Sequence, residues 1–450
     1  MNQQINPQLI LPELKELLVA FDIGQKTNSV AFVHKSGKVL HRYKTIPNNL
    51  PGLERVWNKT QTLLAHYGLS TVSFGMEASG PYWLGPYWEL EKKCSTFDPE
   101  LFSVETLNPQ IVREFKGKFT YKKQKTNEKD ALTVAGRMRF GDYEPSYIPH
   151  GKLLTLRLYT RHRLHLILTM TAEKLRFLSI LFLKFSEYKK RCKQGKIFSD
   201  VFGRCSTAII SKYQTCEEIA AAPLEELHQV VIENDPTHSV VDVKTKLNFL
   251  QQAARESFHL PEETVEPVNF ILEQTLENIK FLQQQIKVTD DKIKPIVETI
   301  DDPIKSFFGI GPVYAAGIVA ETPDLSRYKG HPQLASYLGI IPTMNDTGDF
   351  HSGFNKMTKT GNSYGRYYYI EGTNSLRRFN PVFNEYFERK LKEDSRRRFK
   401  RALGLTTRKF IRIYFHLKVT NDTFKLPDVS HQLIKIDAAE NGKVINYYPR

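Results

Sequence analysis

The chain reads as a mixed α/β domain, then a long helical stretch, then a second and mostly helical domain. Three observations point there. At residues 17–24 an apolar run, LLVAFDIG, ends in an acid and a glycine, and strand-like segments at 28–34 and 38–46 follow, joined by the turn Lys35-Ser36-Gly37. Next come a helical period at 51–67 (Leu53, Val56, Trp57, Leu63, Leu64), a strand over Thr71 to Glu77, a helix from about Pro86 to Lys93, a strand around Leu101 to Val104, and a helix at 128–141. Three strands, a helix, then alternating strands and helices make a mixed α/β pattern. From about residue 151 the period changes to that of helices, and after Pro303 glycines punctuate a last helical region to about 420.

The helical stretch has three parts. Residues 153–191 mix apolar with basic residues in a helical pattern. Residues 192–260 look less regular and hold three of the cysteines. Residues 262–299 space Ile271, Leu272, Leu276, Ile279, Leu282, Ile286, Ile293 and Ile296 mostly three to four apart, and Pro303 is expected to end that helix. Such a helix can pair with a second copy, as a coiled coil, with residues 153–191 in the same chain, or with both.

A chain of 450 residues exceeds one small core, and divisions at 1–150, 151–302 and 303–420 with a tail at 421–450 follow from these changes of pattern. No run reaches the ~18 apolar residues of a membrane helix. The opening Met1-Asn2-Gln3-Gln4-Ile5 lacks the basic and apolar regions of a secretory signal, so a cytoplasmic, nucleoid-associated protein is expected. Cys94, Cys192, Cys205 and Cys216 have no metal-ligand spacing and read as reduced structural thiols.

Net charge is +15, from 64 Lys+Arg against 49 Asp+Glu, which favours a polyanionic partner. The charge is clustered. Lys116, Lys118, Lys122, Lys123 and Lys125 crowd one segment; Arg389, Lys390, Lys392, Arg396, Arg397, Arg398, Lys400 and Arg401 crowd another. Tyr364, Tyr367, Tyr368, Tyr369, Phe379, Phe383, Tyr386 and Phe387 precede or interleave with the second cluster. Tyrosines can stack on unpaired bases, or simply fill a core.

Cutting a phosphodiester with divalent metal takes several carboxylates around a small cavity. Asp22 and Glu77, each at the end of a strand, can reach the same rim. Residues 127 and 130 are three apart on a helix and share a face, so a helix laid against the sheet would aim both at Asp22. Asn127 offers only a neutral carbonyl oxygen, and Glu128 is turned away by ~100°. Asn127 also suits a plain helix N-cap, as does Thr126.

In the last region, Phe308-Gly309-Ile310-Gly311-Pro312 precedes an apolar helix. Gly309 and Gly311 there resemble the phosphate-facing turn of a helix-hairpin-helix motif, or form an ordinary turn. Leu338-Gly339-Ile340-Ile341-Pro342 leads to a segment whose hydroxyls (Thr347, Ser352, Thr358) accompany Lys356, Lys359 and Arg366. A hydroxyl near metal and cations can attack phosphorus. Spacing alone favours the plainer reading, a loop that grips phosphate without covalent chemistry.

Taken together, these segments resemble the DEDD transposases of bacterial insertion sequences, which include pilin-gene invertases and bridge-RNA-guided recombinases. The resemblance rests on Phe21-Asp22-Ile23-Gly24, on Gly75-Met76-Glu77-Ala78-Ser79-Gly80, on Lys125-Thr126-Asn127-Glu128-Lys129-Asp130-Ala131, and on the run from Gly309 through Lys359-Thr360-Gly361-Asn362 to Arg366. It spans nearly all the chain. It implies a ribonuclease-H/RuvC-like domain, a coiled-coil linker and a second catalytic domain. It also implies four acids holding Mg²⁺ (or Mn²⁺), a serine nucleophile from the second domain, and a composite site built by a homo-oligomer, dimer or tetramer. A structured guide RNA would pair with the DNA. Carried over, Asp22 and Glu77 fall at the first two acids and Asp130 at the last; Asn127 falls where the third is aspartate. Thr347 falls at the serine, with Ser352 as a second candidate five residues on. Lys359, Gly361 and Arg366 match neighbours of that serine. Arg397, Arg398, Lys400 and Arg401 would grip phosphates.

The function expected is RNA-guided DNA transposition or site-specific recombination. One alternative is a transposase-derived protein that binds RNA and DNA but cuts weakly or not at all. Another is a RuvC-like structure-selective nuclease that hydrolyses with water.

Overall fold

The computed structural model describes residues 15–109, 112–115, 127–141, 148–193, 197–198, 200–235, 240–343, 357–393 and 398–426. The chain divides into two compact units, Met1–Ile148 and Pro149–Arg450.

The first unit contains strands β1 (Glu16–Ile23), β2 (Thr27–His34), β3 (Val39–Pro47), β4 (Thr71–Glu77) and β5 (Phe102–Leu107), with helices α1 (Leu50–Tyr67), α2 (Leu84–Phe97) and α3 (Asn127–Phe140). The sheet order is β3-β2-β1-β4-β5. Strands β1, β2 and β3 are antiparallel neighbours, whereas β4 and β5 run parallel to β1. This is the ribonuclease-H-like order, and the α/β-plus-α class expected from the sequence is the one found.

Alternation along β1 sorts its side chains between two cores. Leu17, Val19 and Phe21 join Phe74, Met76, Val56, Leu63 and Leu90 on the face covered by α1 and α2. Leu18 and Ala20 join Ala131, Val134, Ala135 and Met138 on the face covered by α3. Helix α1 starts at Asn49, whose side chain accepts from the Gly52 amide, and stops at Gly68 in the left-handed conformation. Strand β5 extends to Leu107, beyond the expected Val104: Phe102 and Val104 join the core under α1 and α2, and Leu107, on the opposite face, joins the core under α3.

The second unit is helical: α4 (Gly151–Lys184), α5 (Tyr188–Lys193), α6 (Arg204–Lys212), α7 (Cys216–Ala221), α8 (Leu224–Asn234), α9 (Val240–Arg255), α10 (Glu262–Glu298), α11 (Pro312–Glu321), α12 (His331–Tyr337), α13 (Ser363–Phe379), α14 (Pro381–Lys392) and α15 (Arg398–Thr420). Helices α4 and α10 pack together as the hairpin within one chain. Arg163 donates to both carboxylate oxygens of Asp290 across that hairpin.

The hairpin bridges two cores. At one end Phe177, Leu181, Leu272 and Ile279 pack with α5 to α9. At the other, Leu156, Ile293 and Val297 pack with Phe307, Ile318, Tyr368, Tyr369 and Phe410. Residues 192–260, expected to be less regular, form helices that build the first of these cores together with the hairpin. Most are too short for a periodic pattern to emerge, and Pro223 and Gly203 interrupt it. Helix α10 ends at Glu298; Pro303 instead opens a short 3-10 turn, Pro303–Ser306, capped by Asp302.

The four cysteines are free and buried. Burial pushes the thiols of Cys94 and Cys192 up to about 12, well away from reactive thiolates. Among the described residues no helix is long and apolar enough to cross a membrane.

Candidate active site

Register decides where the acids stand. Phe21 of β1 pairs with Met76 of β4 in the parallel ladder, so Asp22 and Glu77 are the next residues on adjacent strands. They share a face of the sheet, neighbouring strands being ~4.8 Å apart. It is the even-numbered face of β1, the one covered by α3, and Asp130 lies in the first turn of that helix. All three carboxylates are half-buried.

Close approach of α3 depends on a missing side chain. A Cβ on Gly75 would stand 2.2 Å from the Met138 sulfur. The turn after Asp22 is braced as well. The Gly24 amide donates to Asn28 Oδ1 at 3.2 Å, and Asn48 Nδ2 donates to the Gly24 carbonyl at 2.9 Å.

Electrostatics tie the acids together. Burial pushes the Glu77 carboxyl above the usual carboxylate range, and the charges of Asp22 and then Asp130 push it further. Arg113 and the Ser79 hydroxyl pull the other way. No motif marks Arg113, which lies in the helical residues 112–115 after β5. Half-buried carboxylates that repel one another supply the hard oxygen donors of a divalent cation site. Among the described residues no three of His, Cys, Asp or Glu already stand within ligand distance of one point. Asn127 opens α3, and its side chain lies outside the described residues.

In the second unit, Thr347, Ser352, Lys356 and Arg397 lie outside the described residues. Gly309 packs against Leu376 and Phe379 of α13, and Gly311 is the N-cap position of α11. A four-residue 3-10 turn precedes them, in the place of a hairpin's first helix. Lys359 is exposed and takes a left-handed backbone, φ 56°. Arg366 is half-buried and donates from Nη1 to the Leu338 carbonyl at 3.0 Å.

Arg398, Lys400 and Arg401 are exposed at the start of α15. The basic face continues past them. Burial, then Arg389 and Arg412, lower the Lys409 amine, while burial, then Arg412 and Arg408, lower the His331 imidazole. Arg389, Lys390 and Lys409 all lie over the Tyr386 ring, Lys409 at 4.7 Å. Tyr368, Tyr369, Phe383 and Phe387 are core, whereas Tyr364 and Phe379 are exposed.

Comparison with known proteins bears on the whole arrangement. Residues 19–185 match the profile of the DEDD-type IS110 transposase, and residues 301–388 match that of the IS116/IS110/IS902 transposase family. The chain belongs to this transposase family. An uncharacterized 44.8 kDa protein of insertion element IS116 from Streptomyces clavuligerus is 26% identical over 270 residues. That match takes in 59% of this chain and 65% of the Streptomyces protein. A solved structure of T. thermophilus RuvC in complex with Holliday junction substrate is also similar, at 13% identity and a TM-score of 0.21. It covers 29% of this chain and 99% of RuvC.

Proposed function

We propose that this transposase cuts and rejoins DNA with a divalent cation, Mg²⁺ or Mn²⁺, held by Asp22, Glu77 and Asp130 with help from Asn127. The observation that carries the reading is geometric: Asp22 and Glu77 are the next residues on adjacent parallel strands, and Asp130 stands in the first turn of the helix that covers that sheet face. Bound there, the cation would neutralise the scissile phosphate and stabilise the departing oxygen. The Thr347 oxygen would form a bond to phosphorus while a bridging P–O bond breaks, the leaving sugar oxygen taking up a proton. Ser352 is the second candidate for that attack. Arg398, Lys400 and Arg401, with Arg408 and Arg412 beyond them, would hold the phosphate backbone of the DNA or of a structured guide RNA. The protein would act as a homo-oligomer.

A second reading is favoured by two residues. Asn127 stands where the family pattern has an aspartate and Thr347 where it has a serine. A neutral ligand weakens cation binding, and a threonine methyl crowds in-line attack. On this reading the chain binds RNA and DNA and cuts slowly or not at all.

The test is to purify the protein with its nucleic acid, sequence that nucleic acid, and offer matching DNA with Mg²⁺. A defined RNA and a protein–DNA adduct lost in Thr347→Ala supports the first reading. Specific binding without cutting supports the second. Metal-dependent hydrolysis indifferent to Thr347→Ala would point instead to a water-using nuclease and sink both.

A further inference from the structure

The segment that carries Thr347 leaves the described structure after Thr343 and re-enters at Met357. Its two ends are fastened together. Pro342 and Met357 form an antiparallel bridge, the Thr358 amide donates to the Ile341 carbonyl at 2.9 Å, and the Lys359 amide donates to the Gly339 carbonyl at 3.1 Å. The Asn362 amide donates to the Tyr337 carbonyl at 2.8 Å. Two glycines permit this approach. Both Gly339 and Gly361 have left-handed φ, and a Cβ would lie 2.1 Å from the Thr360 oxygen at the first and 2.2 Å from the Tyr337 oxygen at the second.

One carboxylate anchors this clasp. Glu321, the last residue of α11, is 1% exposed. Asn362 Nδ2 donates to its Oε2 at 2.9 Å, while Asn362 Oδ1 accepts from the Gly365 amide at 3.0 Å and so caps α13. From the other side, Arg161 of α4 donates Nε to Oε1 at 2.7 Å and Nη2 to Oε2 at 2.9 Å. Arg157 adds its charge at 3.9 Å and donates to the Ala320 carbonyl. The Arg161 guanidinium also stacks 4.4 Å from the Tyr364 ring centroid.

A buried carboxylate stabilises no better than a well-packed apolar side chain of its size. What it adds is direction, because each oxygen accepts at a set angle. Here one carboxylate holds the long hairpin helix on one side and the base of the Thr347 segment on the other.

We propose that Glu321 is a positioning residue for DNA cleavage: through Asn362 it fixes the base of the Thr347 segment, and through Arg161 it references that base to helix α4. This rests on the reading of Thr347 as nucleophile. A nucleophile whose support shifts by an ångström loses rate far more than affinity.

The test is hydrogen exchange and DNA cleavage by the full-length protein carrying Glu321→Gln, and by a second variant, Asn362→Ser. Serine still caps α13 but is too short to reach Glu321. Both variants should speed exchange at the 358, 359 and 362 amides by about tenfold or more. Interior amides of α11 should keep their protection. Cleavage should slow by about tenfold or more at unchanged DNA affinity. Clasp amides that stay protected in both variants would overturn the proposal, as would exchange that rises throughout α11 and α13. The exchange readout needs no cutting. A wild type that never cuts, with a clasp that loosens as expected, defeats the nucleophile reading and leaves the positioning contact standing.

Discussion

Gly75 and Met138 meet so closely that the sulfur of one helix residue occupies the space a methyl at position 75 would need, 2.2 Å from the site of a Cβ. That contact sets how near α3 lies to the sheet, and so how near Asp130 comes to Asp22 and Glu77. Gly75→Ala should destabilise the first unit by about 1–3 kcal/mol through overpacking. Met138→Ala in the same chain should recover part of the loss, a coupling that a double-mutant cycle of unfolding free energies measures.

Neutralising one acid should have opposite effects with and without metal. In the metal-free protein Glu77 is held above its usual range by burial and by its carboxylate neighbours, so ionising it costs stability at neutral pH. Asp22→Asn relieves that repulsion. It should raise the metal-free unfolding free energy, by less than about 1 kcal/mol since the site is half open to water. The same change should abolish the further rise that Mg²⁺ gives the wild type. Thermal unfolding with and without Mg²⁺ reads both effects.

Asn127→Asp together with Thr347→Ser should speed DNA cleavage by about tenfold or more, the first by adding a charged ligand and the second by opening the line of attack. Adduct formation under single-turnover conditions is the measurement. No gain from the double change would show that these two positions do not limit cutting.

Lys184 gives a pH signature in the helical unit. The residue is 2% exposed; its amine donates to the Ile210 carbonyl at 2.6 Å and to Asn269 Oδ1, and is lowered from 10.5 to about 8, burial outweighing Glu218 and Glu273. A depressed amine means the unfolded chain binds more protons between those values, so stability rises with pH across that window and is flat below it. Relative to Lys184→Met, the wild type should gain up to about 3 kcal/mol from pH 8 to 10.5. Denaturant melts of both proteins across that range check it.

Much of this was legible in local pattern. Strand Thr71–Glu77 has the bounds its alternation predicts, and α10 runs over Glu262–Glu298 where apolar residues recur every three to four positions. Asp22 and Glu77 could be paired because each ends an apolar strand. What the pattern could not supply was partners distant in sequence. Period alone left α10 free to pair with a second copy, with α4 or with both, and the α4 pairing is the one formed within the chain. Arg161 and Glu321 are 160 positions apart, and neither stands in a motif, so nothing local marks them as a pair. Arg113 reached Glu77 in the same unmarked way. The bond from Arg366 Nη1 to the Leu338 carbonyl, 28 positions away, was likewise not marked by any local pattern.

The most direct measurement of the central claim is Mn²⁺ titration of nucleic-acid-free protein followed by electron paramagnetic resonance. The expected result is one saturable Mn²⁺ site in the wild type, lost in Asp22→Asn and in Glu77→Gln while both variants stay folded. Mn²⁺ binding that is unchanged in both variants would contradict a cation site built on these acids.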